Sequence, residues 1–278
     1  MCKEVSHERK TANQDCQTIA DWLTPIDYGP QQSDYIKRRQ PGTGQWLLHS
    51  NEFQNWLIES RQTLFCPGIP GAGKTLITAI VVEKLFTKFR NDTSIGIAFL
   101  YCNYNKRDEQ KIEDLLSSLL KQLIQEQSSV PKSVEDLYDQ FKGKRMRPSF
   151  DEISRVLHLV TTAYSRVFII VDALDECQPA DGCRARLLSE IFSLQAKCDV
   201  SIFATSRPLP EIKQKFEKST LLEIRARDED VRKYLDDRIS ESESHVLDKY
   251  REQIKIGITK AVDGMYDFSY AVIEDRAS

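Results

Sequence analysis

The run CPGIPGAGKT, residues 66 to 75, constrains this chain more than any other stretch. Gly68, Gly71 and Gly73 fall there with Pro67 and Pro70, between a short apolar run, TLFCPG at 63–68, and a helix-length series, Leu76, Ile77, Ala79, Ile80, Val81, Val82, Leu85 and Phe86. Without Cβ atoms a backbone can bend until successive N–H groups point at one anion, and a helix beginning at that point adds its partial positive charge. The spacing Gly68-x-x-x-x-Gly73-Lys74-Thr75 is the one that cradles phosphate between a strand and a helix. Gly68, Ile69, Pro70, Gly71, Ala72, Gly73, Lys74, Thr75 and Leu76 are therefore the expected phosphate-binding residues. Lys74 reaches toward the β- and γ-phosphates, and the Thr75 hydroxyl is a ligand for Mg²⁺.

A phosphate cradle hydrolyses nothing unless a metal is held and a water is oriented. RVFIIVDALDEC, residues 166 to 177, offers the carboxylates. Five apolar residues, Val167 to Val171, read as a buried strand that ends on Asp172, the expected metal residue, and Asp175 and Glu176 lie on the turn that follows. Glu176, or else Asp175, would polarise the attacking water. The plain alternative makes Asp175 and Glu176 solvated turn residues. In ATSRPLPE, residues 204 to 211, Thr205 to Arg207 would emerge beside the γ-phosphate if their strand lies between the other two, with Arg207 sensing it, and Arg207 is otherwise a surface arginine before a proline.

The rest of the chain alternates short β-like runs with helical stretches, as in a parallel sheet covered by helices. The expected strands are 63–68, 95–102, 166–172, 200–206 and 221–226, each nearly continuous in hydrophobicity and so buried on both faces. Ile112, Leu115, Leu116, Leu119, Leu120, Leu123 and Ile124 trace one helical stripe. Ser149 and Glu152 have capping-box spacing ahead of the stripe Ile153, Val156, Leu157, Val160 and Tyr164. Ser50 can cap a helix that turns Phe53, Trp56 and Leu57 inward, which makes Trp46 and Trp56 core residues before a platform for a base.

At 278 residues, with 40% hydrophobic and 29% charged positions, the chain has material for one sizeable core and smaller attachments. A formal charge of -3 provides no general attraction for nucleic acid or acidic lipid, and the basic run KGKRMR at 142–147 reads as a solvated turn. Seven scattered cysteines without a CxxC pair argue against a disulfide framework or a zinc ribbon. The first ten residues have no apolar core of a leader, and no apolar run approaches the roughly 18 residues that span a bilayer. A cytoplasmic location, with neither nucleic acid nor membrane as partner, is expected.

Together, DWLTPIDYGPQQSDYIKRRQPGTGQWLLHSNEFQNWL, FCPGIPGAGKT, IIVDALDEC, IFATSRPLPEI and EIRARDEDVRKYLDDRI closely resemble the NACHT NTPase module of fungal NOD-like and ankyrin-repeat proteins, often described as nephrocystin-3-like at the N-terminus. The likeness covers about residues 18 to 264. It implies an α/β, three-layer P-loop NTPase core with a five-stranded parallel sheet in the order 5-1-4-3-2 and the start of a C-terminal helical lid. The implied divisions are a flexible N-terminus (1–17), a helical approach segment (18–61), the core (62–227), a partial lid (228–264) and a divergent tail (265–278). The resemblance maps phosphate binding to Gly68 through Thr75, metal to Asp172, hydrolysis to Asp175 and Glu176, and γ-phosphate sensing to Arg207, and it brings GTGQWLL (42–48) toward the base or ribose.

Members of that group are STAND-type switches that hold ADP or GDP when idle, exchange it for ATP or GTP with Mg²⁺, and self-associate. Family members continue into a winged-helix region and repeats, whereas here VDGMY at 262–266 is followed by DFSYAVIEDRAS. A shortened product or a regulatory paralogue is expected, with no repeat-type sensor. The leading expectation is a slowly hydrolysing nucleotide switch. A binding module without turnover is the alternative, and a small-molecule phosphotransferase is disfavoured by the lack of an arginine-rich lid.

Overall fold

A computed structural model describes residues 14, 16–127, 129–177, 182–242 and 250–262. The expectations for most of the N-terminal segment, for VDGMY beyond Val262 and for the tail at 265–278 lie outside them. In chain order the elements are α1 (16–23), α2 Gly29–Arg38, α3 Gln45–Leu48, α4 Asn51–Ile58, β1 Thr63–Pro67, α5 Lys74–Lys88, β2 Ile95–Tyr101, α6 Ile112–Gln125, α7 Lys132–Phe141 and α8 Phe150–Thr161. Then follow β3 Arg166–Asp172, α9 Cys183–Lys197, β4 Val200–Ser206, α10 Pro210–Lys215, β5 Thr220–Leu221, α11 Asp228–Glu241 and α12 Arg251–Val262.

The five strands form one parallel sheet in the order β2-β3-β4-β1-β5, the expected order read from its other edge. Every residue of β1 and β4 is buried, and in β3 only Arg166 at its start is partly open. Such strands need apolar side chains in both directions, which is why they read as continuous runs instead of alternating ones. The register sets Cys66 opposite Thr205 and Tyr101 opposite Asp172, so that β1, β3 and β4 end together. Ligands of open parallel sheets bind outside such carboxyl ends.

Helices lock this sheet from both faces. The expected stripe on α6 is fully buried, and α8 begins with the expected capping box between Ser149 and Glu152. Ser50 Oγ accepts from the Phe53 N–H at 3.2 Å, and Trp56 sits edge-on to Phe168 and Phe203 while its Nε1 donates to the Ile202 carbonyl at 2.8 Å. The approach segment is thereby fastened under the sheet. Trp46 packs against the same core but is only partly buried, with the Arg227 guanidinium 4.8 Å from its ring centre.

The two sheet edges are handled differently. Along β2 the side chain of Gln122 pairs with Phe99, accepting from its N–H at 3.0 Å and donating to its carbonyl at 2.8 Å. Gln110 likewise donates to the Tyr101 carbonyl and accepts from the Asn103 N–H, both at 2.9 Å. Side-chain amides stand in for a sixth strand there, which blunts an edge open to further pairing. At the other edge the expected strand 221–226 is corrected to Thr220–Leu221, and both residues are exposed instead of buried on two faces. Beyond Leu221 only one side of the ladder persists, through the N–H groups of Leu222 and Ile224 on the carbonyls of Phe65 and Pro67. An edge strand has one neighbour, so the charged Glu223 and Arg225 are tolerated where a central strand would exclude them.

The basic run 142–147 is an exposed turn at the end of α7, and Arg147, though exposed, binds Asp114 at 2.7 Å and the Leu23 carbonyl at 3.0 Å. Among the described cysteines all are free thiols, but Cys177 and Cys183 approach to 3.7 Å between sulfurs, a proximity their sequence scatter hides. Among the described residues no helix is long and apolar enough to cross a membrane.

Candidate nucleotide site

β1 ends at Pro67, and the Gly68 N–H still reaches the Ser206 carbonyl at 3.0 Å. A Cβ on Gly68 would lie 2.6 Å from the Ile224 carbonyl oxygen, so only glycine lets the chain leave the sheet here. Gly71 and Gly73 adopt φ of 77° and 85°, a region that costs other residues energy, and Gly73 caps the first turn of α5. The loop therefore winds back on itself as an anion nest does, with a helix N-terminus beneath it. Lys74 Nζ donates to the carbonyls of Gly68 at 2.9 Å and Ile69 at 3.0 Å, bridging the loop it belongs to. Burial lowers the Lys74 pKa, while Asp175 and Asp172 pull in the opposite direction.

Asp172, at the end of β3, is 2% exposed. Its Oδ2 accepts from the Thr75 hydroxyl at 2.7 Å, and its Oδ1 accepts from Thr78 at 2.8 Å and Thr205 at 2.7 Å. Burial raises its pKa and the three hydroxyls oppose that rise. After Asp172 the chain turns sharply at Ala173, a non-glycine residue with φ of 52°. β4 pins this turn: Ala173 N–H donates to Thr205 Oγ1 and Leu174 N–H to the Thr205 carbonyl, both at 2.9 Å.

The turn delivers the next two acids to different environments. Asp175 accepts from the Arg207 backbone N–H at 2.8 Å and from its Nε at 2.5 Å, so the two residues form a closed pair at the end of β4. Among the described residues Glu176 accepts one bond, at 3.2 Å from the Tyr104 N–H, and burial followed by the nearby Asp175 and Asp172 raises its pKa above the ordinary 4.5. Glu176 is thus the acid better suited to exchanging a proton, with Asp175 engaged by arginine.

A cavity of about 630 Å³ opens over these groups, lined by Gly71, Gly73, Lys74, Thr75, Glu176 and Arg207 and closed on one side by Asn103, Tyr104 and Asn105. Sequence reading missed those last three, which follow β2 in a turn with no motif of its own. It also missed Thr78, and Thr205, expected beside the γ-phosphate, is instead completely buried and bonded to Asp172. A signal existed for Thr78, which lies one helical turn beyond Thr75. The GTGQWLL segment stands across α5: Thr43, Gly44 and Trp46 crowd Leu76, Ile77 and Asp230 around a space of only about 10 Å³, and the Gly44 N–H donates to Asp230 Oδ2 at 3.0 Å.

The loop, Lys74, Thr75, the acids of the turn and Arg207 thus share one cavity at the carboxyl end of a parallel sheet, and Asp172 lies buried behind Thr75, bonded to its hydroxyl. Residues 42–207 match the family described as the N-terminal region of nephrocystin 3. The chain belongs to this family. The nephrocystin 3 N-terminal match runs from the approach segment through Arg207 and so includes every residue of the cavity named above. No curated protein matches the chain. Among solved structures it is similar to Cdc6p from Pyrobaculum aerophilum (15% identity, TM-score 0.48, covering 77% of this chain and 53% of that one). It is also similar to ORC1 from Aeropyrum pernix, solved in complex with DNA (17%, 0.49, 75% and 52%), and to domain III of the Thermotoga maritima replication initiation protein DnaA (11%, 0.43, 84% and 83%). The chain spans about half the length of the first two.

Proposed function

We propose that this member of the nephrocystin 3 N-terminal family binds a nucleoside triphosphate, ATP or GTP, together with Mg²⁺, and that slow hydrolysis to the diphosphate resets a conformational switch. The observation that carries the reading is the shared cavity. Glycines at positive φ leave backbone N–H groups around an anion-sized turn, Lys74 stands across it, and the Thr75–Asp172 pair offers two hard oxygen ligands beside it. This donor set fits a magnesium–phosphate group. Bound Mg²⁺ would neutralise charge between the β- and γ-phosphates.

The chain's own residues divide the remaining work. Lys74 exchanges two backbone carbonyls for phosphate oxygens, a trade favoured by charge. Glu176, with its raised proton affinity, takes or orients the proton of an attacking water. Arg207 is held against Asp175 at 2.5 Å and, on release, would place a guanidinium at the γ-phosphate. The five ordered motifs that resemble NACHT modules of the STAND type support a switch over a metabolic enzyme, because such modules turn over slowly and act through their neighbours.

The test combines thermal shift with phosphate release, using Mg-ATP and Mg-GTP. At about 100 times Kd a ligand that binds only the native state stabilises it by roughly 2.7 kcal/mol. Lys74→Ala is expected to abolish the shift, and Glu176→Gln to retain it while lowering phosphate release by at least about tenfold. A Lys74→Ala protein that shifts like the parent would overturn the phosphate role. A Glu176→Gln protein that hydrolyses at the parental rate would remove Glu176 from the reaction, and a parent that binds without hydrolysing would leave a nucleotide-binding module.

A further inference from the structure

The two oxygens of Asp172 are held in different ways. Oδ1 receives two hydroxyl bonds, from Thr78 and Thr205, while Oδ2 receives one, from Thr75. Thr75 lines the cavity. Thr78 and Thr205 do not, and both are completely buried.

We propose that Thr78 and Thr205 are positioning residues that clamp one oxygen of Asp172 and so present its other oxygen, beside Thr75, to the metal ion of a bound nucleotide. The inference rests on the proposed function and extends it to residues that cannot reach the ligand. A threonine hydroxyl carries one proton. Thr205 Oγ1 already accepts the Ala173 N–H at 2.9 Å, which fixes its orientation and directs its proton to Oδ1. Thr78 Oγ1 lies 3.0 Å from the Lys74 carbonyl and 2.8 Å from Oδ1, and an ionised carboxylate is the stronger acceptor of the two.

With Oδ1 held from α5 on one side and from β4 on the other, rotation of the carboxylate would break two bonds to a group sealed from water. Buried acceptors do not surrender such bonds cheaply. Oδ2, whose single partner faces the cavity, is the oxygen free to change partners. The same arrangement couples the metal position to β4: Thr205 holds Asp172, and Arg207, two residues on, holds Asp175.

The experiment uses the full chain and a fluorescent ATP analogue, titrated with Mg²⁺ and separately in EDTA, with the parent and with Thr78→Val, Thr205→Val, Thr78→Ser and Thr205→Ser. Valine keeps the shape and removes the donor; serine keeps the donor and loses a methyl group. Residues that support a metal ligand from behind alter metal affinity by roughly 10- to 100-fold. Each valine variant is expected to need about tenfold more Mg²⁺ for half-maximal coupling, with analogue affinity in EDTA within about twofold of the parent. Each serine variant is expected to restore the parental Mg²⁺ dependence.

Unchanged Mg²⁺ dependence in both valine variants would overturn the proposal. So would an equal loss of affinity in EDTA, which marks general damage to the loop. If valine prevents folding, the serine variants decide: loss of magnesium coupling with the hydroxyl retained sinks the positioning role. A parent that binds neither this analogue nor its GTP counterpart, with or without Mg²⁺, overturns the proposed function together with this inference, and that outcome is distinguishable from a binding parent with indifferent valine variants.

Discussion

The carboxyl end of the sheet and the helical pair α11–α12, which the sequence reads as the start of a lid, are built to opposite plans. At the sheet end the functional groups stand on strands whose side chains are sealed in one continuous apolar core, and even the charged Asp172 has three hydroxyl partners. The described lid has a cluster of two buried apolar residues, Val231 and Leu235, with Ala226, Tyr234 and Ile254 against them. Much of its remaining order is ionic: Lys255 binds both oxygens of Asp236 at 2.9 and 3.0 Å, and Arg251 reaches the same carboxylate at 3.4 Å. Contacts to the approach segment are polar or aromatic, namely Gly44 to Asp230, Gln40 to Asp237, and Arg227 over Trp46. Regions with few buried apolar contacts open at lower free energy than the global transition. The contrast therefore predicts preorganisation at the sheet end and easier local opening at α11–α12.

The largest effect should come from Trp56→Ala. It removes a fully buried indole wedged between Phe168 and Phe203 together with the bond to Ile202, and large aromatic truncations of this kind cost about 3–5 kcal/mol. Denaturant unfolding should show that loss in the single transition of the core. Leu235→Ala also empties a fully buried site, and about 2 kcal/mol is expected, at the low end for such changes because a small cluster can collapse around the gap. Its signature differs: hydrogen exchange should accelerate across 228–241 while the amides of β1, β3 and β4 keep their protection. Loss of protection throughout the sheet in Leu235→Ala would erase the distinction between the two regions.

Next in size is Ser149→Ala. The Ser149 hydroxyl and Glu152 satisfy each other's backbone N–H at the start of α8, with Ser149 N–H to Glu152 Oε2 at 2.9 Å. Removing such a cap costs about 1 kcal/mol. Because α8 packs on α6 and buries Ile153, Val156, Leu157 and Val160 in the same core as the sheet, the cost should appear as a uniform shift of the core midpoint, although the cap itself is exposed. A loss restricted to the amides of α8 would mean that this helix frays like the lid.

What was legible in the sequence follows the same division. Ser149 and Glu152, the α6 stripe and β1 to β4 announced themselves because each depends on local spacing or on a run of apolar residues. The phosphate loop was legible for a sharper reason: at Gly68 a backbone oxygen would lie 2.6 Å from any Cβ, and Gly71 and Gly73 turn where side chains are disfavoured, so sequence and geometry leave little choice. Tertiary pairings were hidden. Nothing in the spacing of Gln110 and Gln122 says that they will pair with an open strand, and Asp175 could not be assigned to Arg207 until β4 was placed beside β3. The fifth strand reads as longer than it is because an apolar cluster at Leu221, Leu222 and Ile224 looks the same whether one neighbouring strand answers it or two.

The smallest effect tests how the lid is held. Burial raises the Asp230 carboxyl above its ordinary 3.8, with Glu229 adding to the rise, while the Gly44 N–H works against it. A raised carboxyl retains its proton in the folded chain after the unfolded chain has lost it. The stability it contributes is therefore complete below 3.8 and declines as pH rises through the folded value. Asn at this position has no proton to lose and still offers an oxygen to Gly44. The melting temperature of Asp230→Asn minus that of the parent should therefore grow more positive between acid and neutral pH, by no more than a few degrees, with all other titrations cancelling in the difference. A difference that becomes more negative with rising pH would mean that the ionised carboxylate gains more from the Gly44 N–H than it loses by burial, and the lid would then be latched by charge to the segment it covers.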